Sequence, residues 1–229
     1  MAKENAGNLF PVYVWEAPVR LCHWVVALCV AVLAVTGYFI GSPLPSMPGE
    51  ASDNFLMGYI RFAHFSAAYV FAVFFILRVY WAFVGNKFAR EIFLVPRSLF
   101  SREWWSGIVN QGLYYAFLKK EAIMYQGHNP AAAASIFFMF VLGTVFMIVT
   151  GFALYGEGAG MASWQYKLFS SWVIPLFGQS QSVHTWHHLG MWYLLWFILI
   201  HLYLVLRGDI FSGETVVSTM VNGYRVSKH

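Results

Sequence analysis

Five histidines, His23, His64, His187, His188 and His201, fall within or at the edges of long apolar stretches of this 229-residue chain. Ionisable side chains are costly in lipid, so those retained there usually do chemistry. Neutral imidazole binds metals through one ring nitrogen and is a common axial ligand of haem iron. A single histidine on an apolar face is more often a hydrogen-bonded packing residue, but the spacing of this set argues otherwise. His187 and His201 are fourteen residues apart. On one helix that spacing returns them to within about 40° of the same face and separates them by about 21 Å along the axis. His188 and His201 fail the same test by about 140°. Two ligands so far apart cannot share an ion, but each can hold one of two flat cofactors stacked through a membrane, and haem fits. An iron with two axial histidines has no open position, which favours electron transfer over oxygen chemistry.

Each haem then needs a second histidine at matching depth. His64, about two turns into the second apolar stretch, is level with His187. His23, at the start of the first stretch, is level with His201. The expected pairs are therefore His64 with His187 for an outer haem and His23 with His201 for an inner one. Gly37, fourteen residues after His23, shares its face at the outer haem's level, where a missing side chain admits a porphyrin; ordinary helix packing explains it equally well. Arg61, Arg78 and Arg20 are placed to meet haem propionates, or else to snorkel at helix ends. His128, His184, His188 and His229 have no partner at matching depth and are read as non-ligands, with His184 and His188 near the outer haem.

The elements that must carry these residues are membrane helices. The chain is 59% hydrophobic and only 10% charged, with a net charge of +4. Too few charges remain to cover a soluble domain of this size, which disfavours a cytosolic enzyme, a nucleic-acid binder and a disordered tail. Gaps between charges mark four spans, at about 21–41, 57–84, 133–155 and 182–206. The first reads as an uncleaved anchor, since no A-x-A site closes it. Lys87, Arg90, Arg97, Arg102, Lys119 and Lys120 all lie in the connection 85–132. The loop 42–56 has no basic residue, and 156–181 has only Lys167. That asymmetry predicts an all-α, four-helix integral membrane bundle with both termini and the long connection cytoplasmic and the two other loops periplasmic. Ser98 to Leu118 and the aromatic segment 161–181 read as amphipathic interfacial helices. Cys22 and Cys29 sit seven apart in one apolar run and behave as small hydrophobes. AVTGYFIG closes the first span and IVTGFALYG the third, a faint repeat suggesting two hairpins with a common ancestor or packing task.

These residues resemble a known family. VYVWEAPVRLCHWVVAL, MGYIRFAHFSAAYVFA, YQGHNP, VTGFALYGEGA, HTWHHLGMW with the later IHLY, and VVSTMVNGYR are together similar to the cytochrome b subunit of membrane-bound nickel–iron uptake hydrogenases, from about Val12 to Arg225. The P-x-R-x-x-H-W element is shared with other quinone-reactive b cytochromes, including formate dehydrogenase gamma subunits. HNP, YGEGA and STMVNGYR are more particular to the hydrogenase branch.

The resemblance implies a subunit of the bacterial inner membrane that holds two b haems on His23, His64, His187 and His201. It also implies that the subunit anchors periplasmic small and large hydrogenase subunits and passes electrons from their iron–sulfur clusters to quinone. Arg20, Arg78 and Tyr80, at the inner ends of haem-bearing helices, are candidate quinone neighbours. Glu50, Asp53 and Glu157, in the outer loops, are expected to face the partner. The chain shows no nucleophile, phosphate loop or cysteine cluster, so hydrogen activation belongs elsewhere. The rival readings are a formate dehydrogenase gamma subunit or free-standing b cytochrome and, in a different class, a haem-free anchor or transporter whose histidines relay protons or pack.

Overall fold

The computed structural model describes residues 11–45, 54–119, 125–211 and 215–226. Glu50, Asp53, Lys120 and His229, named above, lie outside them. A short strand, β1 (Val12–Tyr13), precedes the helices α1 (Ala17–Gly41), α2 (Leu56–Val84), α3 (Arg102–Tyr115), α4 (Pro130–Ala159), α5 (Ser171–Leu176), α6 (Ser180–Phe211) and α7 (Val216–Asn222); β2 (Tyr224–Arg225) follows them. Short helical turns fill Lys87–Ser98 between α2 and α3.

Four of these helices, α1, α2, α4 and α6, are long and apolar enough to cross a membrane. Without water, a chain can satisfy its peptide groups only internally, and a helix does so within one segment. At most 22% of the residues in the apolar window of any of them are buried. Leu28, Phe62, Phe83 and Leu199 are among the large side chains left facing outward, a surface suited to lipid. The helices run past the gaps between charges: α1 takes in Arg20, and α6 takes in Arg207 and Asp209. A gap marks the part that must be dehydrated, whereas the helix continues until a capping or turn signal ends it. Such signals are visible. Ser101 Oγ accepts from Trp104 N at the start of α3, and Asn129 Oδ1 accepts from Ala132 N at 2.8 Å at the start of α4, where Pro130 occupies the first helical position. The HNP motif is thus a helix start.

The chain forms two compact units, and each long helix contributes a stretch to both. One comprises Met1–His23, Leu77–Phe138 and Phe197–His229; the other comprises Trp24–Ile76 and Met139–Trp196.

The first unit is built around Val14, Trp15, Val19, Phe88 and Ala89. The Glu16 carboxylate accepts from Trp81 Nε1 at 2.9 Å and from Asn86 N at 2.8 Å, while Asn86 Nδ2 donates to the Val14 carbonyl. β1 and β2 pair antiparallel, Val12 with Arg225 and Tyr13 with Tyr224. Gly223 makes the turn into β2 at φ 90°, a conformation that favours glycine, and its carbonyl accepts from Val14 N. The buried Arg225 guanidinium donates from Nη1 to the carbonyls of Tyr125, Gln126 and Gly127 at 2.9, 2.9 and 2.7 Å. The YQGHNP and VNGYR motifs therefore meet.

The second unit packs Ala153, Val173 and Val183 at its centre. The aromatic segment between α4 and α6 folds as a wide turn, Tyr166–Ser170, leading into α5. Phe152 stacks on Phe169 at 5.3 Å, and Ser170 Oγ donates to the Ala153 carbonyl. Gln165 Nε2 donates to the Tyr69 hydroxyl at 2.8 Å, tying this segment to α2.

Candidate functional site

In the second unit, His64 of α2 and His187 of α6 line one cavity of about 760 Å³. Its other walls include Gly37 of α1, Gly151 of α4, Arg61 and Met191. Both imidazoles are held at Nδ1: Thr36 Oγ1 lies 2.8 Å from His64 Nδ1, and Thr150 Oγ1 lies 2.8 Å from His187 Nδ1. A Cβ on Gly37 would lie 3.2 Å from His64 Cε1, and one on Gly151 would lie 3.1 Å from His187 Cε1. What crowds Gly37 first is thus the histidine ring. Arg61, one turn before His64, joins the lining, as do His184 and His188; His188 Nε2 accepts from Trp192 Nε1 at 3.1 Å.

In the first unit, His23 of α1 and His201 of α6 face each other with ring centroids 6.4 Å apart and planes at 51°. Phe197, one turn before His201, stacks on its ring at 5.6 Å and 20°. Arg78 Nη2 donates to the Ala89 carbonyl at 2.8 Å, and its guanidinium lies over the Phe93 ring. Arg20 donates to the Val221 carbonyl. Tyr80 is an exposed side chain. His128 packs 4.7 Å from the Trp15 ring with its Nδ1 3.4 Å from a Glu91 oxygen, a pairing that the sequence reading did not find. Cys22 and Cys29 are each buried free thiols.

Of the sequence-selected histidines, four therefore fall into two pairs, each inside one unit. The donor set fits haem. Imidazole nitrogens bind metals at about 2 Å, so two axial rings on one ion have centroids about 6 Å apart, close to the His23–His201 separation. Among the described residues, no three of His, Cys, Asp and Glu gather closely enough to hold a metal ion themselves. A metal on either pair would need its remaining ligands from a group it arrives with, as the ring nitrogens of a porphyrin supply. The glycines opposite His64 and His187 leave room that a Cβ would fill.

Residues 14–223 match the family described as prokaryotic cytochrome b561. The chain belongs to that family. Over 226 residues this b-type cytochrome is 61% identical to a probable Ni/Fe-hydrogenase B-type cytochrome subunit of Azotobacter vinelandii, which covers 99% of the chain and 93% of the relative. A counterpart in Cupriavidus necator is 59% identical over 227 residues, 99% of the chain and 92% of the relative. A probable Ni/Fe-hydrogenase 1 B-type cytochrome subunit of Escherichia coli K12 is 49% identical over 232 residues, 99% of the chain and 95% of the relative. The family likeness drawn from the motifs holds, and haem b is the group that a b-type cytochrome has to accommodate.

Four contributors escaped the sequence reading: Thr36, Thr150, Gly151 and Phe197. Thr36 and Thr150 were visible only as letters of the VTG repeat, and nothing in the repeat said that a hydroxyl would meet an imidazole.

Proposed function

We propose that this chain is the membrane cytochrome of a nickel–iron hydrogenase and connects periplasmic catalytic subunits to the quinone pool. The observation that carries this reading is the sorting of the four histidines into two pairs, one per unit, in a chain similar along nearly its whole length to hydrogenase cytochrome subunits. His64 and His187 hold an outer haem b, and His23 and His201 an inner one. Bound there, the two haems supply reversible one-electron chemistry by which electrons from a partner's iron–sulfur clusters reach quinone. α6 carries one ligand of each pair.

The protein's own groups orient and neutralise. Thr36 and Thr150 hold the outer imidazoles, and Phe197 holds the His201 ring. Arg61, on the cavity wall, supplies positive charge for a propionate. The excess of Lys and Arg in the connection 85–132 supports a cytoplasmic position for it and for both termini. The loops 42–56 and 156–181 then face the periplasm and the catalytic subunits. Arg20, Arg78 and Tyr80 stand near the quinone at the inner end. Quinone protonated from inside, with hydrogen oxidised outside, separates charge across the membrane without a pump.

The test is the haem content of the detergent-purified chain and the company it keeps. Two b haems per chain and co-purification with hydrogenase subunits are expected, with cross-links only to the two periplasmic loops. A colourless chain, or cross-links confined to 85–132, overturns the reading. Co-purification with formate dehydrogenase subunits would reassign the partner. Arg78→Ala should keep full haem content and lower the quinone-reduction rate; an unchanged rate removes Arg78 from that role.

A further inference from the structure

The sequence repeat at the ends of α1 and α4 meets a histidine in each copy. Thr36 Oγ1 lies 2.6 Å from the Val32 carbonyl oxygen and 2.8 Å from His64 Nδ1. Thr150 Oγ1 lies 2.8 Å from the Phe146 carbonyl oxygen and 2.8 Å from His187 Nδ1. A hydroxyl has one proton, and in a helix threonine gives it to the carbonyl four residues earlier. Toward the imidazole each hydroxyl therefore accepts. That places the ring proton on Nδ1 and leaves the Nε2 lone pair for a metal. The glycine that follows each threonine completes the arrangement, because a Cβ at Gly37 or Gly151 would press on Cε1 of the same ring. One copy comes from the membrane-length helix before the one that carries His64 and the other from the membrane-length helix before the one that carries His187, so both histidines are gripped alike.

We propose that the pairs Thr36–Gly37 and Thr150–Gly151 are a duplicated device that fixes the tautomer and rotation of the two axial imidazoles of one haem. The inference rests on the haem reading above and goes beyond it by assigning positioning residues. Its consequence is electronic. An Nδ1–H that donates to an oxygen makes Nε2 a stronger donor to iron and favours the ferric state. A hydroxyl does this more gently than a carboxylate would, and here it does so from both sides. Removing either hydroxyl should therefore raise the midpoint potential of that haem alone.

The test is a spectroscopically monitored redox titration of the purified cytochrome in its complex, with Thr36→Val, Thr150→Val, Thr36→Ser and Thr150→Ser. The haem on His64 and His187 is identified by its absence from a His64→Ala sample. Each valine variant should shift that haem's potential upward and leave the other haem unmoved, the double valine variant should shift it further, and the serine variants should titrate like wild type. A valine variant that loses the haem while its serine counterpart keeps it supports the same role. Valine variants that retain the haem at an unchanged potential overturn the inference, as do serine variants that move as far as valine. If valine prevents assembly, Thr→Ala poses the same question with a smaller side chain. Wild-type protein with two haems but indifferent threonines sinks this inference alone; wild-type protein with no haem sinks it together with the proposed function.

Discussion

Replacing His64 or His187 with alanine is expected to remove one haem, and replacing His23 or His201 to remove the other, so that each single variant falls from two haems per chain to one. His64 and His187 share one cavity in their unit, and His23 and His201 face each other at 6.4 Å in theirs. An iron with one axial imidazole deleted keeps only its macrocycle and a single protein bond, and alanine leaves a hole the size of the missing ring. The pattern of loss is the informative readout, because it tests the pairing as well as the ligands. Difference spectra of the four variants should fall into two identical sets, with His64 and His187 in one. Spectra that group His64 with His23, or a single variant that loses both haems while its helix content is intact, would refute the pairing.

Arg225→Met should destabilise the protein by about 2–4 kcal/mol, the cost expected when a charge-assisted set of hydrogen bonds to partly buried carbonyls is lost. Arg225 is 7% exposed and holds the carbonyls of residues 125–127 together from one nitrogen. Methionine fills a similar volume without donors, so those carbonyls and the β1–β2 pairing lose their clamp. Thermal unfolding in detergent should shift down, and limited proteolysis should cut near Gly127. A haem on His64 and His187 should survive, because none of the residues lining their cavity belongs to the tail. An unchanged melting temperature and an uncut loop would show that the three bonds are replaced without cost.

The helices were legible because a membrane imposes a length and a polarity that charge gaps reveal directly. Their ends were less so: α6 continues through Arg207 and Asp209, where lipid no longer sets the rule. The histidines were legible because a fourteen-residue interval is a statement about one helix and needs no tertiary knowledge. Thr36 and Thr150 were not, since a hydroxyl's partner on another helix depends on rotation and depth that spacing along one chain leaves open. The same is true of His128 with Glu91 and of Arg225, whose partners lie 37 and about 100 residues away. YQGHNP and VNGYR could be recognised as motifs without any sign that they touch.

The two-residue ribbon of β1 and β2 also sets an order of construction. Val12 is made early and has to wait for Arg225, 213 positions later (225 − 12), before its ladder can close. At roughly 5–20 residues per second, translation alone imposes a delay of about 10–40 s. The stretches that hold His64 and His187 end at Trp196 and can come together before the tail leaves the ribosome. The unit with His23 and His201 is completed last. A released chain truncated after Trp196 would therefore keep every stretch of the unit that carries His64 and His187 while lacking His201, so a cofactor on the first pair should not depend on the tail.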